Sequence, residues 1–147
     1  MKRYVVGFVF TADYEQVLLM TKNRPDWQIG RMNGIGGKIE ADEPDVSAIV
    51  RESKEESDLD ISEQEWVLCC TSTAPDWEVL FFGAVLPGRL ADAKSVTDEP
   101  VAWYSTETLP ANVIDNLRWL IPLSINRLKK VDALGSVRAD YQWSHTS

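Results

Sequence analysis

Residues 36–57, Gly-Gly-Lys-Ile-Glu-Ala-Asp-Glu-Pro-Asp-Val-Ser-Ala-Ile-Val-Arg-Glu-Ser-Lys-Glu-Glu-Ser, restrict the fold more than any other stretch of the chain. After the two glycines, Val46, Ile49 and Val50 recur at helical spacing up to about Ser57, with Asp42 placed as an N-cap and Pro44 suited to the first turn. Ser53 shares that apolar face. On such a helix Glu52, Glu55 and Glu56 stand at i, i+3 and i+4, so their carboxylates converge on the adjoining face. Like charges at this spacing cost a few tenths of a kcal/mol per pair, and Arg51 offsets only part of that. A divalent cation would remove the repulsion, because hard ions such as Mg²⁺ take carboxylate and carbonyl oxygens together with substrate phosphates. On composition alone a solvated, charge-rich helical face is the favoured reading of the cluster, and the glycines ahead of it shift the balance toward the ion.

The rest of the composition narrows the chemistry. A chain of 147 residues with 44% apolar and 26% charged residues has the make-up of one globular domain spanning 1–147. Net charge −8 argues against binding a nucleic-acid polymer, whose backbone is gripped by Lys and Arg. No apolar run approaches membrane-spanning length, and the N-terminus lacks the pattern of a secretory signal, so a cytoplasmic protein is expected. Cys69 and Cys70 are adjacent, which predicts sulfurs on opposite faces of a strand and no disulfide framework. The single histidine, His145, lies near the C-terminus, so triad and His-rich zinc chemistries are poorly supplied and acid–base work falls to carboxylates.

Along the chain, Tyr4–Thr11 and Gln16–Thr21 read as a β-hairpin about the turn Ala12–Glu15, followed by a polar loop over 22–33 and a short segment Gly34–Glu40. A second hairpin is expected from Glu65–Ser72 and Trp77–Leu86 about the turn at Thr73–Asp76. A polar loop, a strand at Val101–Tyr104, and a helix over Val113–Leu128 kinked or restarted at Pro122 come next, with a last strand over Val137–Trp143. Strands mixed with two helices predict an α+β fold, an α/β/α sandwich.

Gly37, five residues, Glu43, seven residues, Arg51-Glu52, two residues and Glu55-Glu56 together resemble the Nudix box, here residues 37–59. Two positions depart from it. Ser53 stands where an aliphatic residue is usual, and Asp58 stands where Gly is usual, although Asp tolerates the left-handed turn that ends the helix. The resemblance implies the Nudix fold, a mixed β-sheet with flanking helices. It also implies that the Gly37 carbonyl with Glu52, Glu55 and Glu56 holds Mg²⁺, with Mn²⁺ as a substitute, while Glu43 and Arg51 orient loop and ligands. Glu56 and Glu52 are both candidates for general base.

The similarity continues over most of residues 3–128 and is to the MutT-type nucleotide-pool sanitising branch, in particular to the oxidised-purine nucleoside triphosphatases of vertebrates. In the run Gly30–Lys38, Asn33 stands where that branch reads a purine edge; a turn residue is the alternative. Asp115 and Trp119 match a further base-reading segment, while Asn116 replaces a second Asp there. Trp27 and Trp77 fall where the branch places apolar pocket residues, and aromatic faces stack well on bases. Lys22 and Lys38 are candidates to face phosphates, and Glu99 matches a carboxylate that supplements the metal site. The expected activity is Mg²⁺-dependent cleavage of a nucleoside or deoxynucleoside triphosphate, purine and conceivably oxidised, to monophosphate and pyrophosphate. Rival readings are an ADP-ribose or dinucleotide pyrophosphatase and a nucleotide-sensing module without turnover. The partner is thus a small nucleotide, for a monomer or homodimer with no membrane attachment.

Overall fold

A computed structural model describes residues 1–86, 93–130 and 135–141. Eight strands form one mixed sheet, with a helix packed on each face. Strand β1 (Lys2–Phe10) is central and is buried on both faces from Val5 onward, as its nearly unbroken apolar run requires. Its neighbours are β2 (Gln16–Thr21), β3 (Met32–Asn33), β4 (Ile35–Lys38), β5 (Val67–Ala74), β6 (Trp77–Val85), β7 (Val101–Ser105) and β8 (Val137–Asp140).

The first expected hairpin forms but barely pairs. β1 and β2 meet only at Phe10 and Val17, because the same edge of β1 is taken by β4, antiparallel from Tyr4↔Lys38 to Gly7↔Ile35. β2 therefore swings away and pairs instead with β7 and β3. The other edge of β1 runs parallel to β6 from Lys2↔Trp77 to Phe10↔Val85. The second hairpin, β5–β6, closes as expected about Pro75-Asp76, and β8 adds to β5 in parallel.

Helix α1 (Asp45–Ser57) lays Ala48 and Ile49 on the face lined by Val5, Val9, Leu18, Met20 and Ile35. Helix α2 (Leu117–Lys129) covers the opposite face, with Leu117, Leu120 and Ile121 against Phe8, Phe10, Leu19 and Phe81. None of the helices in the described residues is long and apolar enough to cross a membrane.

Three expectations are corrected, and a fourth falls partly outside the described residues. Asp42 does not cap α1: it lies in the left-handed region at φ 64°, and Pro44 is itself the N-cap, extended at ψ 146°. Helix α2 begins at Leu117 and runs through Pro122 without restarting. Pro122 is exposed, so water can reach the carbonyl that its missing N–H leaves unpaired. The two cysteines do not face opposite ways. A bulge between Leu68 and Cys70 leaves Cys69 without a partner residue on β6, so its sulfur lies beside Ser124 and Leu128 while Cys70 packs with Phe81 on the same α2-covered side. Burial and the extra residue together decide this. Finally, β8 is described only as Val137–Asp140; Trp143, like His145 and part of the loop after Leu86, lies outside the described residues.

The departures within residues 37–59 are absorbed. Ser53 is fully buried, and its hydroxyl donates to the Leu59 carbonyl at 3.3 Å, tying the helix to the chain beyond it. Asp58 adopts the left-handed conformation at φ 61°, with its N–H on the Lys54 carbonyl and its carboxylate 2.9 Å from the Lys54 ammonium.

Candidate active site

The site grows from the contact between α1 and β4. At Gly37 an added Cβ would lie 2.5 Å from Glu52 Oε1 and 2.7 Å from its Cδ. The space a side chain would fill is thus occupied by a carboxylate. At Gly36, φ is 158° and a Cβ would sit 2.0 Å from the Val5 carbonyl oxygen, so glycine alone allows β4 to run this close to β1. The Gly36 N–H donates to Glu56 Oε1 at 2.8 Å.

Glu56 is 7% exposed. Burial, reinforced by the negative charge of Glu52, pushes its carboxyl up to about 8, against the opposing pull of the Gly36 N–H and the Lys22 ammonium. Burial also raises Glu52, although Arg51 works against it. The contact between the two carboxyls raises Glu56 and lowers Glu52, which favours a single proton shared by the pair.

Arg51 organises the other side. Its Nε and Nη2 grip the two Glu43 oxygens at 2.8 and 2.9 Å, Nη2 also donates to the Lys38 carbonyl at 3.1 Å, and Nη1 reaches Glu52 at 2.9 Å and Glu55 at 3.3 Å. Hydrogen bonding to Glu43 holds the guanidinium well above its ordinary value, and the same contact lowers Glu43. The carboxylate of Glu43 also accepts the Glu40 N–H, closing the loop between β4 and α1.

The expected convergence of three glutamates is therefore only partly present. Glu52 and Glu56 come together, but Glu55 is half exposed and turned to Arg51. Glu99 is buried and bonded to Lys22 Nζ at 3.1 Å and to the Asn23 N–H at 2.7 Å. Among the described residues no three His, Cys, Asp or Glu side chains form a group that could hold an ion as they stand. Arg51 supplies the counter-charge to Glu52 and Glu55, while burial favours the neutral form of Glu56. The donor set itself suits a hard dication: carboxylate oxygens beside a backbone strip with no side chains.

The expected base-reading residues gather around the junction of two distant segments. Met32 N–H donates to the Asn112 carbonyl, Ile114 N–H to the Met32 carbonyl, and Asn112 Nδ2 to the Gly30 carbonyl, which joins 30–32 to 112–114. Arg31 strengthens the seam through the Val113 carbonyl and Asp115, each at 3.0 Å. Asn33 spends its Oδ1 on the Gly34 N–H at 2.8 Å and directs Nδ2 toward Gln28 Oε1 at 3.4 Å. Asn116 caps no group with its side chain; its Oδ1 is buried without a hydrogen-bond partner. Trp119, 42% exposed on α2, and Trp27, 38% exposed in the short 3₁₀ turn Asp26–Gln28, present large apolar surfaces. Trp77 instead stands at the far end of β6 against Tyr141, with ring centroids 5.5 Å apart. Lys38 leaves the strand next to the loop closed by Arg51. Asn23, Arg24 and Arg31 escape sequence reasoning because these partners lie 74 or more positions away, where no local spacing signals them.

A family model described as the NUDIX domain matches residues 1–123. The chain belongs to the Nudix hydrolase family. Among curated proteins none matches. Solved structures share its fold at low identity: the MutT protein of Bacillus halodurans is 19% identical, with 100% of this chain and 95% of that one covered at TM-score 0.66. An ADP-ribose pyrophosphatase of Streptococcus suis is 19% identical over 95% and 98% at TM-score 0.70. The NUDIX domain of Shewanella oneidensis NrtR, complexed with ADP ribose, is 19% identical over 86% and 87% at TM-score 0.68. At these identities the likeness establishes the fold, a mixed sheet between two helices.

Proposed function

We propose that this Nudix hydrolase cleaves nucleoside or deoxynucleoside triphosphates, purines first among them, to monophosphate and pyrophosphate with Mg²⁺. The observation that carries the reading is the buried Glu52–Glu56 pair packed on the side-chain-free Gly36–Gly37 strip, with Arg51 on one flank and Lys22 on the other. Glu52, Glu55, Glu56 and the Gly37 carbonyl would hold the ion. Bound there, it would supply neutralisation of charge on the phosphates and a more acidic water.

The protein's own groups do the rest. Arg51 fixes the Glu52 carboxylate through Nη1 while its fork on Glu43 fixes the loop. Glu52 and Glu56 are both candidates to accept a proton from water. Asn33 offers Nδ2 to a base edge, since its carbonyl is already used. Trp119 and Trp27 supply stacking surface. An oxidised purine such as 8-oxo-dGTP remains within this class, and cytoplasmic action on the free nucleotide pool is the setting it implies.

The test is a panel of 8-oxo-dGTP, 2-hydroxy-dATP, dGTP, dATP, the ribonucleotides, pyrimidine triphosphates and ADP-ribose, with and without Mg²⁺, reading pyrophosphate and AMP. Pyrophosphate release by the wild type and none by Glu56→Gln is expected. AMP from ADP-ribose with inert triphosphates would replace this reading by the pyrophosphatase one, which two of the similar folds bring into view. Nucleotide binding without any turnover would leave a sensor.

A further inference from the structure

Glu99 matches a metal-supplementing carboxylate by resemblance, yet its surroundings describe another task. It is 4% exposed, and both of its oxygens are engaged. Oε1 lies 3.1 Å from Lys22 Nζ and 3.5 Å from Arg24 Nη1, while Oε2 accepts the backbone N–H groups of Asn23 at 2.7 Å and Arg24 at 3.3 Å. The segment carrying Glu99 is itself clamped to the end of β2. Asn23 Nδ2 donates to the Asp98 carbonyl at 2.6 Å, Arg24 Nη2 meets Asp98 Oδ2 at 2.7 Å, and Thr21 N–H donates to the Pro100 carbonyl at 2.9 Å. A carboxylate so placed can turn to an ion only by giving up the part-buried Lys22 ammonium and the Asn23 and Arg24 N–H groups together.

The Lys22 side chain is only 14% exposed, and a largely buried ammonium persists only beside a counter-charge. Glu99 is that counter-charge. We propose that Glu99 is a positioning residue: it holds the Lys22 ammonium at the flank of the Glu52–Glu56 pair, where Lys22 meets the substrate polyphosphate, and it does not ligate the ion. The proposal rests on reading this site as a polyphosphate site. Burial also raises Glu99's proton affinity, but the Asn23 N–H and Lys22 outweigh it and leave the carboxyl lowered, consistent with a permanently charged anchor.

Two measurements separate an anchor from a ligand. Mn²⁺ titrated into the protein, with the free ion read by electron paramagnetic resonance, is expected to bind Glu99→Gln within twofold of wild type and Glu56→Gln at least tenfold more weakly. In turnover, Glu99→Gln and Lys22→Met are expected to raise KM for the triphosphate by similar factors, with the double variant no worse than either alone, because both remove one grip. A tenfold loss of Mn²⁺ affinity in Glu99→Gln overturns the proposal, as do additive KM effects. If Glu99→Gln does not fold, Lys22→Met decides: an anchor leaves Mn²⁺ affinity unchanged, whereas a ligand freed from its ammonium would raise it tenfold. If the wild type neither binds Mn²⁺ nor turns over nucleotide, the site reading fails. The anchoring claim then stands or falls separately on non-additivity of Lys22→Met and Glu99→Asp in urea unfolding.

Discussion

Replacing Arg51 with Lys keeps the charge and removes the fork, which isolates what the guanidinium geometry contributes. Arg51 makes five donor contacts between 2.8 and 3.3 Å: two to Glu43, one each to Glu52, Glu55 and the Lys38 carbonyl. An ammonium is a single point on a flexible stem, so it can retain Glu43 or Glu52 but cannot span both and reach Lys38 as well. A hydrogen bond to a charged group contributes about 1.5–3 kcal/mol net. With Arg51 about a quarter exposed and Glu43 less so, water replaces part of what is lost, and about 2–4 kcal/mol of stability should disappear. For a chain of this size each kcal/mol moves the melting temperature by about 2–4 °C, so Arg51→Lys should melt roughly 5–15 °C lower. The assay is thermal unfolding by circular dichroism in chelator, run as a cycle with Glu43→Gln. A melting point within about 2 °C of wild type, or single effects that add to within about 0.5 kcal/mol, would refute the network as described.

Two further outcomes follow from the same geometry. Gly37→Ala places a methyl 2.5 Å from Glu52 Oε1, so the carboxylate must leave its seat; turnover should fall about 10²-fold while melting shifts by only a few degrees, measured as kcat against thermal unfolding. In metal-free protein, Glu56 is held near 8 when folded against 4.5 as its ordinary value. The folded state keeps this proton longer, so the stabilisation is complete below about pH 4.5 and is lost as pH rises through 8. The metal-free melting temperature should therefore fall from pH 5 to 8.5, flatten in Glu56→Gln and recover with Mg²⁺. The lowered carboxylates Glu43 and Glu99 titrate below this window and do not mask it. A melting temperature that rises with pH would refute the shared proton.

Local elements were legible where a local signal existed. The period change after Pro44 marks α1, the two-residue turn at Pro75-Asp76 marks β5–β6, and Asp58 takes the left-handed turn in the way its side chain allows. Short-range reasoning failed where a longer-range partner intervened. Nothing near Cys69 announces the bulge, because it exists only against β6, and Pro122 is tolerated because tertiary packing turns it to solvent. At the site, the spacing of Glu52, Glu55 and Glu56 correctly places them on one side of a helix. The spacing could not show that Glu56 would be buried on the Gly36 N–H while Glu55 stays half exposed, sharing Arg51 Nη1 with Glu52.

The amino-acid order alone determined which groups are available: the carboxylates at helical spacing, the glycines ahead of them, a single histidine, and a mixed sheet between two helices. Spacing along one helix is geometry the backbone enforces by itself. Only the tertiary structure decided who neutralises whom. The antiparallel pairing of β4 with β1 and the clamp of 97–100 onto β2 bring together residues that are distant in the chain, so that Glu56 meets the Gly36 N–H and Glu99 faces Lys22. Charge interactions depend on through-space distance and burial, and neither is written in the sequence separation of the groups that carry them.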